Sequence, residues 1–162
     1  MRYHNITKDD MLNGDGLRVV LLVSGCDHCC KECQNPITWD PNSGLIFDES
    51  AKKELFDELE KSYVSGITFS GGDPLHANNI YEIKELAKEI RTKFPEKTIW
   101  LYTGCTWEEI RTMEIVKYVD VIVDGEFQIE KFDANLHWKG SANQRVIDVP
   151  ATQKAGTVVL HA

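Results

Sequence analysis

Apolar residues along the chain fall into two recurring patterns. The stretch 17–25, LRVVLLVSG, is an almost unbroken apolar run rich in valine, the pattern of a strand buried on both faces. In 48–63 the apolar positions Leu55, Phe56, Leu59 and Tyr63 recur at helical spacing, behind Asp48, Glu49 and Ser50. This spacing predicts an amphipathic helix with an acidic start. The alternation repeats downstream. A short strand is expected at 66–72, a helix at 78–94 stopped by Pro95, and a strand at 98–104. A short helix follows at 106–113, opened by a Thr106-to-Glu109 capping box, and a fourth strand at 119–125.

Strand and helix in strict alternation predict an α/β fold with a parallel sheet. Such sheets carry their sites beyond the carboxyl ends of the strands. Three unusual loops fall there: a cysteine-rich loop after the first strand, SGGDPL after the second, and YTGC at the end of the third. Beyond Gly125 the pattern weakens. A strand at 145–149 and a last strand or tail at 157–161 are the only elements expected there.

With 162 residues, the chain is expected to form one domain. The net charge of −8 opposes contact with a nucleic-acid backbone, so no nucleic-acid partner is expected. The longest apolar run, Val19–Val23, is far below the ~20 residues of a membrane span. With a polar start and no secretory pattern, the reading is a cytoplasmic protein without membrane attachment. That compartment keeps thiols reduced, which disfavours disulfides.

The segment SGCDHCCKECQNP, 24–36, therefore needs another explanation for Cys26, Cys29, Cys30 and Cys33. Structural zinc usually takes two short cysteine pairs separated by a long spacer, and here the two pairs abut. His28 beside them reads as a bystander. A redox Cys-x-x-Cys partly fits the strand-to-helix context. Without Cys29, the remainder is Cys26-x3-Cys30-x2-Cys33, three closely spaced thiols of the kind that hold iron–sulfur clusters. On a four-iron cluster, three thiolates leave one iron open for chemistry. Zinc, thiol redox chemistry and a cluster all stay open on spacing alone.

The three-cysteine loop followed by a Gly-Gly-acid-Pro loop resembles the radical S-adenosylmethionine enzymes. The segments NGDGLRVVLLVSGC, CQNPITW, SGGDPLH, IWLYTG, VDVIVDGEF and WKGSANQRVID narrow the resemblance. In that order, over 13–148, they resemble the activating proteins of anaerobic, class III ribonucleotide reductases. The resemblance implies a single radical S-adenosylmethionine domain over 1–162, with its core at 13–148 and a tail at 150–162. Its fold would be a parallel βα-repeat sheet forming a partial, truncated TIM-type barrel.

The resemblance also implies the chemistry. Cys26, Cys30 and Cys33 would ligate a [4Fe–4S] cluster, and S-adenosylmethionine would chelate the open iron. Reductive cleavage would yield methionine and a 5′-deoxyadenosyl radical. That radical would take a hydrogen atom from a glycine of the reductase's catalytic subunit, leaving a glycyl radical. A low-potential donor such as a flavodoxin would supply the electron. Ser70, Gly71, Gly72 and Asp73 would hold the methionine part of the cofactor, the acid matching its amino group. The plainer reading of that loop is a glycine turn with Asp73 as a helix cap. Glu32, Cys33 and Gln34 would flank the adenine.

Several positions depart from the pattern. Glu32 and Gln34 stand where aromatic residues are common, Asp15 replaces a proline, and Cys105 replaces a tyrosine. Cys29 is extra and reads as a non-ligating thiol. Lys139 and Arg145, with Trp138, are expected to form part of the surface shared with the reductase. Two other functions remain: an activase of another glycyl-radical enzyme of the pyruvate formate-lyase type, and a zinc-stabilised binding module without catalysis.

Overall fold

The computed structural model describes residues 1–162. Four strands form the parallel centre of one seven-stranded sheet. They are β2 (Arg18–Val23), β4 (Gly66–Gly71), β5 (Thr98–Tyr102) and β6 (Val121–Asp124). Three helices follow the pattern read from the sequence: α1 (Glu49–Leu59), α2 (Ile80–Lys93) and the short α3 (Trp107–Ile110). Asp48 caps α1 by accepting from the Ala51 N–H at 2.9 Å. At α3 the Glu109 carboxylate accepts from both the backbone N–H and the hydroxyl of Thr106. Tyr63, placed by periodicity on the α1 stripe, lies beyond the helix and is exposed.

Side chains alternate across the strands, so each strand serves two layers. Val19, Leu21 and Val23, Ile67 and Phe69, and Ile99 and Leu101 join the helices in the larger core. On the opposite face Trp100, Val121, Val123 and Val146 form a smaller core, covered by Trp138 and Tyr102.

Strands β1 (Arg2–Asp10) and β3 (Leu45–Ile46) add an antiparallel edge, and β7 (Arg145–Asp148) pairs antiparallel with β6. The complete order is β3-β1-β2-β4-β5-β6-β7. The sheet is mixed and is not closed into a barrel. Strand β1 escaped the sequence reading because its alternation is polar: of RYHNITKDD only Ile6 is buried. The expected tail at 150–162 is ordered instead. Asp148 caps a helix α4 (Val149–Ala155) with Pro150 in its first turn, and Gly156 ends it at φ 75°. The chain then returns to β7, where the Asp148 N–H donates to the Val159 carbonyl and the His161 N–H to that of Val146. No helix is long and apolar enough to cross a membrane.

Candidate functional site

The loops that leave β2, β4, β5 and β6 meet at the carboxyl end of the parallel strands. Backbone bonds lock the first two together. The Gly72 N–H donates to the Val23 carbonyl at 2.8 Å, and the Asp73 N–H donates to that of Gly25 at 2.7 Å. This crossing requires glycine. A Cβ at Gly71, where φ is 102°, would stand 2.5 Å from the Val23 nitrogen, and one at Gly72 would stand 2.6 Å from the Gly25 oxygen. The close approach that these glycines permit is to the neighbouring loop.

Asp73 is buried and fully engaged. Its Oδ1 accepts from the Leu75 N–H at 2.9 Å. Its Oδ2 accepts from His28 Nε2 at 2.8 Å, the Thr103 hydroxyl at 3.0 Å and the Gly104 N–H at 3.0 Å. Asp73 is therefore not the cap of α2; that position belongs to Asn79. Ser70 is half-buried at the end of β4, opposite Leu22.

All five cysteines are free thiols. Cys26, Cys30 and Cys33 are half-buried on one loop, whereas Cys29 is exposed and in the left-handed region at φ 53°. Burial pushes the Cys26 thiol up to about 11, against a hydrogen bond from the His28 backbone that lowers it. Burial also raises the Cys30 thiol. Burial thus holds the protons on the Cys26 and Cys30 thiols until a metal displaces them. The Asn35 N–H points at Cys33 Sγ from 3.4 Å, the kind of hydrogen bond that supports a cluster thiolate. Three reduced, closely spaced thiols with that donor fit a cluster better than a disulfide. Glu32, at φ 59°, and Gln34 are exposed beside Cys33. The Gln34 amide lies against Gly140, where a Cβ would approach it to 3.4 Å.

The sequence reading missed the residues that join these loops. His28, taken for a bystander, reaches Asp73 through Nε2 and Glu126 through Nδ1 at 3.2 Å. Cys105 Sγ lies 3.9 Å from the same Nε2. The hydrogen bond to Asp73 raises the His28 pKa. Glu126 Oε2 is also 4.0 Å from Cys30 Sγ. No local signal marks His28 or Glu126, because their roles depend on loops far apart in sequence.

The 138–145 segment turns inward. Trp138 packs edge-on against Trp100 at 5.1 Å, and its carbonyl accepts from the Tyr102 hydroxyl. Arg145 forks between the two oxygens of Glu108 and the buried Asp124. Lys139 Nζ donates to the Gln144 carbonyl. The charges expected at a partner surface are spent within the chain. A separate cavity of about 650 Å³ opens beside the amino ends of β5 and β6, lined by Asp15, Lys97, Asp148 and His161; no thiol reaches it.

The comparisons give an iron–sulfur class. The family model described as a 4Fe-4S single cluster domain matches residues 12–147. An anaerobic ribonucleoside-triphosphate reductase-activating protein of Enterobacteria phage T4 is 45% identical over 146 residues, covering 90% of this chain and 93% of that protein. Proteins of the same name are 37% identical in Pasteurella multocida, covering 89% of this chain and 95% of theirs, and 40% identical in Escherichia coli K12, covering 90% and 97%. The chain belongs to the family of anaerobic ribonucleoside-triphosphate reductase-activating proteins.

Proposed function

We propose that this chain activates an anaerobic ribonucleotide reductase by generating a glycyl radical on its catalytic subunit. One observation carries the reading. Three reduced thiols, Cys26, Cys30 and Cys33, share a loop that is bonded to the Gly71–Asp73 turn. The names of the relatives and the 4Fe-4S family model support it.

In this reading the three cysteines hold a [4Fe–4S] cluster and leave one iron open. When bound and reduced, the cluster supplies the electron that splits the sulfonium of S-adenosylmethionine into methionine and a 5′-deoxyadenosyl radical. Asp73 receives the amino group of the cofactor, and Ser70, Gly71 and Gly72 line its methionine part. Glu32 and Gln34 border the adenine beside Cys33. The chain's own work is to hold these groups at the ends of rigid parallel strands, which fixes the radical's origin relative to the target glycine. The four parallel strands are read as the truncated βα barrel of radical S-adenosylmethionine enzymes, spanning one domain. A cytoplasmic location and an electron donor of the flavodoxin type complete the proposal.

The test is anaerobic reconstitution with iron and sulfide, reduction, and addition of S-adenosylmethionine. Methionine and 5′-deoxyadenosine in equal amounts are expected. A colourless, air-stable protein holding zinc, with no cleavage, overturns the proposal.

A further inference from the structure

The His28 side chain touches all three of the converging loops other than its own. It meets Asp73 after β4, Cys105 after β5 and Glu126 after β6. It also lies flat enough on the β5 loop that a Cβ at Gly104 would stand 2.5 Å from its Cδ2. The ring therefore fills the space over that glycine and covers the outward side of Asp73.

Two of the donors on Asp73 Oδ2, the Thr103 hydroxyl and the Gly104 N–H, come from the β5 loop that Asp73 braces. The third, His28 Nε2, comes from the half-exposed cysteine loop. An entering N–H donor can displace the third without dismantling the sheet end. A metal ion shared by His28, Asp73 and Cys105 is a poorer fit, although their ligand atoms lie within 4.8 Å of one another. Three donors already fill Oδ2, and the 2.8 Å contact is that of a hydrogen bond.

We propose that His28 is a displaceable placeholder. It occupies, on Asp73, the position that the amino group of S-adenosylmethionine takes, and it yields that position when the cofactor binds. The inference rests on the assignment of Asp73 to the cofactor's amino group. On displacement the ring keeps its second partner, Glu126, so it swings about that contact. Empty protein keeps its buried carboxylate satisfied, which spares the cost of an unpaired buried charge. His28 is a positioning residue: it acts through Asp73.

The experiment is anaerobic calorimetric titration of S-adenosylmethionine into cluster-loaded protein, with iron and sulfide measured in every sample. His28→Ala removes the internal competitor. Its dissociation constant should fall about tenfold, the worth of one charge-assisted hydrogen bond. His28→Leu keeps apolar bulk over Gly104 but offers Asp73 no donor, and it should lower the constant likewise. Weaker binding by a cluster-loaded His28→Ala protein overturns the proposal. So does unchanged or weaker binding by His28→Leu, which serves as the deciding variant if His28→Ala does not load its cluster. Loaded wild-type protein that binds no S-adenosylmethionine removes the functional reading itself, and this inference with it.

Discussion

Asn79, at the start of α2, donates through Nδ2 to the carbonyl of Ser24 at 2.8 Å, fully buried. The same amide reaches the Asp73 carbonyl at 3.1 Å. One side chain thus ties a helix to the exits of β2 and β4, where the cysteine loop and the Gly-Gly turn begin. Asn79→Ala leaves the Ser24 carbonyl without a donor, while the Asp73 carbonyl keeps the His76 N–H, and should cost about 1–3 kcal/mol. Asn79→Asp should cost more, since a carboxylate would face both oxygens. Urea unfolding of the cluster-free protein checks the order; equal stability of wild type and Asn79→Ala would contradict it.

The proposed ligand set divides the four loop thiols into three ligands and a bystander. Alanine at Cys26, Cys30 or Cys33 should each abolish cluster uptake, measured as iron and sulfide per chain. Cys29→Ala should load fully, because Cys29 is exposed and held in a left-handed turn. Loss of the cluster on replacing Cys29 alone would show the ligand set to be wrong.

Burial holds the Cys26 thiol at about 11, above its ordinary 9.0. The folded, cluster-free protein therefore binds this proton more tightly than the unfolded chain. The contribution to stability is present below pH 9.0 and is lost as pH rises through about 11. Alkylation of Cys26 in the cluster-free protein should climb about tenfold per pH unit across that window. An alkylation rate that levels off below pH 9 would contradict the raised thiol.

Arg145 and Asp124 form the second internal anchor of the site. Asp124 is almost wholly buried and accepts from the Trp107 N–H as well as from Arg145. Arg145→Ala takes the cation from that carboxylate, which keeps the backbone N–H groups of Trp107 and residue 145, and should cost about 3 kcal/mol. Arg145→Lys should recover less than half of it, because an ammonium cannot span Asp124 and Glu108 as the planar fork does. Chemical denaturation reads both values.

Trp138 separates a packing role from an outward one. Its contacts with Trp100 and His161 predict that Trp138→Ala destabilises the chain by about 2 kcal/mol, less than a fully buried tryptophan would. Unchanged stability with weakened binding to the reductase would restore the outward role.

The parallel centre of the fold was legible because its signal is local. A buried strand such as 18–23 is apolar throughout, and α1 announces itself by an apolar stripe and an acidic cap. The edges were not. Strand β1 buries one residue, so its polar sequence carries no alternation of the usual kind. Helix α4 is seven residues with two buried side chains, too few to make a stripe. The thiols could be read as a group because their spacing is short. The His28–Asp73–Glu126 bridge could not, since it spans loops 45 residues and more apart. Lys139 and Arg145 looked free in an acidic chain, yet their partners, Gln144, Asp124 and Glu108, are fixed by the fold alone.

The central claim is radical transfer to the reductase. Its most direct measurement is electron paramagnetic resonance on the anaerobic reductase subunit, mixed with reduced, cluster-loaded protein and S-adenosylmethionine. The account predicts a glycyl doublet on the reductase that requires the cofactor and is absent with Cys30→Ala. Cofactor cleavage without a doublet on that subunit would contradict the assigned partner, and a doublet formed by the cluster-free variant would contradict the role of the thiols.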